Sequence, residues 1–184
     1  MNVVDALIAH HHTLRQLYQQ SEADPDVFEE FVRHLVVHHT MEEKYFYDLL
    51  EGIEQGRHDA LEAVNEHHII ELIIKDAEGF PRDHGDFPVK IEGLGEYTTH
   101  HLDEEEADIF PMALELFSEK DLNILGKLFE EAKAIMLGAL PPELPAALAA
   151  RLPRKTGAPK ASDGPAVSGQ PDAAAGLGIG SLKK

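Results

Sequence analysis

The sequence predicts an all-α protein, an antiparallel up-down four-helix bundle. Apolar residues recur at helical spacing over four long segments, no segment alternates with strand period, and the connections between segments are short. A short fifth helix and a C-terminal tail follow. The 184 residues allow one domain with a sizeable core plus an appendage. The expected division is a bundle over 1–138 and a flexible Ala/Pro/Gly-rich tail over 139–184.

The first helix covers 2–20, where Val3, Val4, Leu7, Ile8, Leu14, Leu17 and Tyr18 fall at helical spacing. A break at 21–25 supplies Asp24 as N-cap and Pro25 as the first residue of the second helix. That helix runs to about Leu50, with Phe28, Phe31, Leu35, Tyr45, Phe46 and Leu49 on its apolar side. Gly52 and Gly56 bracket a loop, and a third helix covers about 58–78. The stretch "GFPRDHGDFP" (79–88) is a loop, and the fourth helix spans about 88–117 with an expected kink at Pro111. Ser118 caps a fifth helix that reaches about Leu137, before Gly138. Beyond it the composition shifts to Ala, Pro, Gly and Ser, which predicts disorder, with "PPELPAALAARL" transiently helical.

Composition narrows the chemistry. The chain has no cysteine, so disulfides, thiolate metal sites and a cysteine nucleophile are excluded. A formal net charge of −18 repels nucleic acid and lowers the cost of drawing in a cation. No apolar stretch reaches membrane-spanning length, and no basic segment precedes an apolar run at the N-terminus, so a cytoplasmic protein without nucleic-acid or membrane partners is expected. All twelve histidines lie at or before position 101, so whatever uses histidine ends there.

Two stretches repeat one pattern. "HHTMEEKYFYDLL" (38–50) and "HLDEEEADIFPMAL" (101–114) both read His-x-x-x-Glu-Glu, with an aromatic residue four positions after the second Glu. An internal duplication of a helix pair accounts for this. At about 100° per residue, Glu42 falls within roughly 10° of the apolar centre of its helix and Glu43 about 90° away. His38 and His39 straddle that centre. His38 is preferred, because it stands four residues before Glu42 on the same face. On the fourth helix His101 and Glu105 lie on the apolar side, and His100 points away.

A carboxylate in the middle of an apolar stripe costs several kcal/mol or takes up a proton. Two of them, each beside a histidine, call for a shared compensating charge, which a divalent or trivalent metal supplies. A solvated helix face explains any one of these residues. It does not explain the pattern twice over, with each Glu on the apolar side.

On the first helix His12 points away from the apolar side, while His11 lies about 40° and His10 about 60° from its centre, which favours His11. On the third helix "NEHHIIELIIKD" offers His67 or His68. His67 has Glu71 four residues on, and His68 has Leu72, a pair that reads as packing. The candidate metal ligands are therefore His11, His38, Glu42, His67, His101 and Glu105, with Glu71 as a further candidate. They draw on all four long helices. Mixed imidazole and carboxylate without thiolate suits iron, manganese or zinc. Six or seven ligands are too many for one tetrahedral zinc and about right for two metals bridged by carboxylates, with positions left for a small molecule. No Glu stands three residues before any histidine, which separates the chain from the Glu-x-x-His pattern of ferritin-like bundles.

Across about residues 1–117 these features resemble the hemerythrin-like proteins, the HHE cation-binding domain. The matching parts are an early His followed by Leu (His11, Leu14), His-x-x-x-Glu-Glu on the second helix, Glu66-His67 on the third, and His-x-x-x-Glu-Glu ending in Phe110-Pro111. The resemblance implies a four-helix bundle holding two iron ions in a non-haem centre, in preference to zinc or manganese. Glu42 and Glu105 would bridge the irons and the histidines would cap them. Oxygen-carrying relatives place a second histidine where this chain has Glu71, and an Asp five residues after the last histidine, where it has Glu106. More carboxylate and less imidazole favours the ferric state over reversible oxygen carriage.

The implied function is binding or sensing of O₂, NO or peroxide. An enzyme detoxifying peroxide or NO, iron storage or donation, and a metal-free interaction bundle are the other readings. The helical register itself is testable: His11→Ala should loosen one metal and His12→Ala should leave binding unchanged, and equal metal binding by the two variants would overturn the register.

Overall fold

The computed structural model describes residues 1–138, and every regular element among them is helical. The expected tail over 139–184 lies outside the described residues. Among the described residues no helix is long and apolar enough to cross a membrane.

Helix α1 (Val3–Ala23) starts at a capping box, in which Asn2 accepts from the Asp5 backbone and Asp5 from that of Asn2. Asp24 caps a 3₁₀ turn, Pro25–Val27, that leads into α2 (Phe28–Glu42). Helices α3 (Arg57–Glu78) and α4 (Phe87–Glu104) follow, and Ser118 caps α5 (Glu119–Met136) by accepting from the Asp121 backbone N–H.

Two long helices are not continuous α-helix, contrary to the sequence expectation. A π turn, Glu43–Tyr47, follows α2 before a last short segment, Asp48–Leu50. A second π turn, Glu105–Ile109, follows α4 before the segment Phe110–Leu116. Pro111 lies just past that second turn; it has no N–H for the carbonyl four residues back, so the helix loosens ahead of it. No proline adjoins the first π turn. What the two share is position, since each begins at or directly after the inward Glu of the repeated motif.

Contacts between the helices fix their directions. Tyr18 stacks on Phe31 while His10 meets His38, so α1 and α2 run antiparallel. Glu66 pairs with His101 and Asp76 with Lys90, so α3 and α4 do too. Arg15 reaches Asp103, and Tyr18 lies against Gly95, which sets α1 antiparallel to α4. Helix α5 covers the end of the bundle where α1 begins, with Gly126 against the backbone of Met1 and Asn2.

The apolar core is divided. One cluster gathers Val3, Leu7, Phe46, Tyr47, Phe110 and Phe129; the other gathers Leu14, Phe28, Phe31, Ile70, Phe87 and Leu94. Between them, at the same level of all four long helices, lies a layer of buried His10, His11, His38, His39, Glu42, His67, His101 and Glu105.

Gly126 is required by close approach. A Cβ there would lie 2.6 Å from the Asn2 carbonyl carbon and the Met1 oxygen, so α5 could not seat. Gly126→Ala should cost about 1–3 kcal/mol. Gly93, exposed on α4 with nothing within 4 Å of such a Cβ, should gain about 0.5–1 kcal/mol as Ala. Denaturant melts of the two variants check this, and equal shifts would contradict the proposed seating of α5.

Candidate metal centre

Glu42 closes α2 and Glu105 opens the π turn after α4, and both are fully buried. Four imidazoles aim their Nε2 atoms at these carboxylates. His11 Nε2 lies 3.2 Å from Glu105 and 3.9 Å from Glu42. His38 Nε2 is 3.3 Å from Glu42, and His67 Nε2 is 3.6 Å from the same oxygen. His101 Nε2 is 3.3 Å from Glu105 and 2.9 Å from His67 Nε2. Neighbouring ligands at right angles on an ion with bonds of about 2.1 Å stand about 3 Å apart, so these spacings fit a coordination shell.

The potential ligand atoms fall into two groups, each with all its members within 4.8 Å of one another. One is His11, His38, Glu42 and Glu105. The other is His67, His101, Glu42 and Glu105. The two carboxylates belong to both. His11 Nε2, His38 Nε2, both Glu42 oxygens and Glu105 Oε2 are buried without a hydrogen-bond partner. Buried polar atoms are almost always satisfied, so this concentration of orphans facing one another fits a cation.

The outward nitrogens are held as well. His11 Nδ1 donates to Glu106 (2.8 Å), which Arg15 also grips (2.7 Å). His67 Nδ1 donates to Glu43 (3.0 Å) and His101 Nδ1 to Glu66 (2.7 Å). His38 Nδ1 instead meets His10 Nδ1 at 3.1 Å; His10 Nε2 meets His34 Nδ1, and His34 Nε2 meets Glu30. Glu30 accepts, so each ring in this chain donates toward it, and His38 is left with the Nε2 lone pair facing inward. Such outer partners orient metal-binding imidazoles and raise their basicity.

A sequence model of the hemerythrin HHE cation-binding domain matches residues 2–113. The chain belongs to the hemerythrin HHE cation-binding family. A crystal structure of a hemerythrin HHE cation-binding domain-containing protein from Mycobacterium kansasii, a homolog of Rv2633c, shares the fold. The TM-score is 0.64 at 21% identity, covering 83% of this chain and 99% of the other. No curated protein matches the chain significantly.

The HHE domain brings six of the seven candidate residues together. Glu71 is not among them: its side chain is half-exposed at 51%, beside Lys75, because α3 turns it to solvent. His67 is buried and His68 exposed, and Leu72 is also exposed, so the pairing of His68 with Leu72 is not a packing contact. His10 is buried but serves the outward side of His38, while His12 and His100 face solvent. Glu43, Glu66 and Glu106 hold the rings from outside, and Tyr47 donates its hydroxyl to Glu105. Sequence reasoning did not assign those roles. The signal for Glu43 and Glu106 was the second Glu of each repeat; Glu106, which also stands where oxygen-carrying relatives have their Asp, holds His11 from outside and does not join the inward group.

Charges in the HHE domain follow the cluster. Burial opposes the charge on His101, yet Glu105, Glu66 and Glu42 outweigh it and raise its pKa to about 10. Burial opposes His11 too, and Glu105, Glu106 and Glu42 hold it well above the usual imidazole value. Burial would raise Glu105, but His101 and His11 pull it well below the carboxylate range. Burial, reinforced by Glu105, pushes Glu42 up. The hydrogen bond from His11, helped by Arg15, lowers Glu106 to about 2.

Without a bound ion, protons on His11 and His101 thus supply the compensating positive charge. A ligating imidazole must be neutral, so metal uptake near pH 7 must expel them. The His101 contribution is full below about 6.5 and is lost as pH rises toward about 10. The thermal midpoint of metal-free protein should therefore fall between pH 7 and 9, and metal binding should release at least one proton per chain. Calorimetry in two buffers of different ionisation enthalpy reads the release, and none would contradict the assignment.

Proposed function

We propose that this HHE domain holds two iron ions and binds or senses a small molecule, O₂, NO or peroxide, at that centre. The observation that carries the reading is the pair of ligand groups sharing Glu42 and Glu105. His11 and His38 would serve one ion, His67 and His101 the other, and the two carboxylates would be common to both. Oxygen and nitrogen donors without sulfur suit iron, with manganese or zinc as the less favoured metals.

Iron held there supplies a redox-active Lewis acid with coordination positions free for a small ligand. The protein's own contribution is positional. The outer carboxylates fix each imidazole, and the apolar clusters on either side exclude bulk water. Tyr47 keeps its proton, because burial and Glu105 push its pKa well above the phenol value, so it stays a hydrogen-bond donor on Glu105.

Two small half-open depressions lie beside the outer partners of the centre. One, about 190 Å³, is lined by Glu43, Tyr47, Ala60, Leu61 and Val64. The other, about 150 Å³, is lined by Glu62, Ala63, Glu66, Glu104 and Ile109. They adjoin residues that hold the centre from outside: Glu43 and Tyr47 border the first, and Glu66 the second. Neither suits a drug-sized substrate.

Metal analysis of protein loaded anaerobically with ferrous iron should give about two irons per chain, and its visible absorption should differ under argon, air and NO. His38→Ala should lower iron retention. Protein that folds but retains no iron, or whose spectrum ignores all three gases, overturns the reading.

A further inference from the structure

His39 has no place in the ligand set above, yet it is 4% exposed. Both of its ring nitrogens are buried without a hydrogen-bond partner. A histidine used only as packing in a core normally has its N–H satisfied, because the desolvated group otherwise has nothing to offset the loss of water. Two orphan nitrogens on one ring are an expensive way to fill space.

Its surroundings name a use. The ring lies face to face with His67, centroids 3.8 Å apart and planes at 13°, and edge-on to His101 at 5.8 Å and 89°. Ligand atoms of His39, His67 and His101 all lie within 4.8 Å of one another. Each neighbour spends its outward nitrogen on Glu43 or Glu66 and turns Nε2 inward. His39 joins this side from α2, three residues before Glu42. Glu71, offered by spacing for the same half of the centre, faces solvent.

We propose that His39 is a metal ligand, the third imidazole of the half-site formed with His67 and His101. This rests on the two-iron reading of the centre and extends it. His38 and His39, adjacent in sequence, then serve different ions, as their positions astride the apolar centre of α2 allow.

The test compares wild type, His39→Leu, His39→Ala and, as control, His100→Ala, whose side chain is exposed. Each is loaded anaerobically with ferrous iron, challenged with a chelator, and assayed for iron per folded chain. X-ray absorption then counts imidazoles per iron. Wild type and control should keep two irons. The His39 variants should keep one tightly and hold the second more weakly by more than the roughly tenfold to hundredfold that follows loss of an outer partner.

Thermal midpoints separate this from a packing role. Without metal, His39→Leu should melt at or above the wild-type temperature, because it removes two orphan nitrogens, and its gain on adding iron should be smaller. Variants that keep two irons with unchanged affinity and imidazole count overturn the proposal and leave the two-iron reading intact. So does a His39→Leu chain that melts lower without metal and gains as much from iron as wild type does. A wild-type chain that holds no iron overturns both.

Discussion

Two carboxylates that meet in the middle of an apolar bundle impose the arrangement of everything else. Glu42 and Glu105 are fully buried, one from α2 and one from the turn after α4. Like charges in such a place repel and are starved of water, so positive charge has to come to them. Each long helix contributes a histidine at that level, and the apolar core is divided into two clusters above and below it. The polar layer interrupts the core, and this is the signature of a site that the sequence maintains at the expense of packing.

Support for that layer extends outward in an ordered way. Three of the imidazoles lean on carboxylates at the rim, Glu106, Glu43 and Glu66. The fourth reaches the surface through two further histidines that end on Glu30. The strong negative charge of the chain therefore has a local meaning, since some of its acids orient the rings of the candidate metal centre. The π turns are part of the same design. Each begins at or directly after the first glutamate of its repeat, which faces the centre, while the second glutamate reaches the outer nitrogen of a histidine on another helix.

Much of this was legible in the sequence, for a physical reason. Glu42 and Glu105 stand out because a charged residue on an apolar stripe breaks the pattern, and the repeat made the break recur. His11 over His12, and His101 over His100, followed from helical geometry at 100° per residue. The same geometry turned Glu43 away from the apolar centre, but the roles of Glu43 and Glu106 depend on His67 and His11, which stand on other helices. Glu71 was offered by its spacing from His67, but α3 has apolar residues on too many sides for its inner face to be read. The roles of Glu66, Tyr47 and the His10–His34–Glu30 chain depend on contacts between helices, which no single helix records. His39 was set aside because spacing paired Glu42 with His38; only its buried, partnerless ring shows that both histidines of the doublet point inward.

The central claim is that Glu42 and Glu105 are shared by two ions. An anomalous difference map from crystals of iron-loaded protein, recorded at the iron edge, tests it most directly. The account predicts two peaks roughly 3.5–4 Å apart, with Glu42 and Glu105 reaching both and His11 and His38 on the opposite side from His67 and His101. A single peak, or iron found only among the exposed acids at the start of α3, would contradict it.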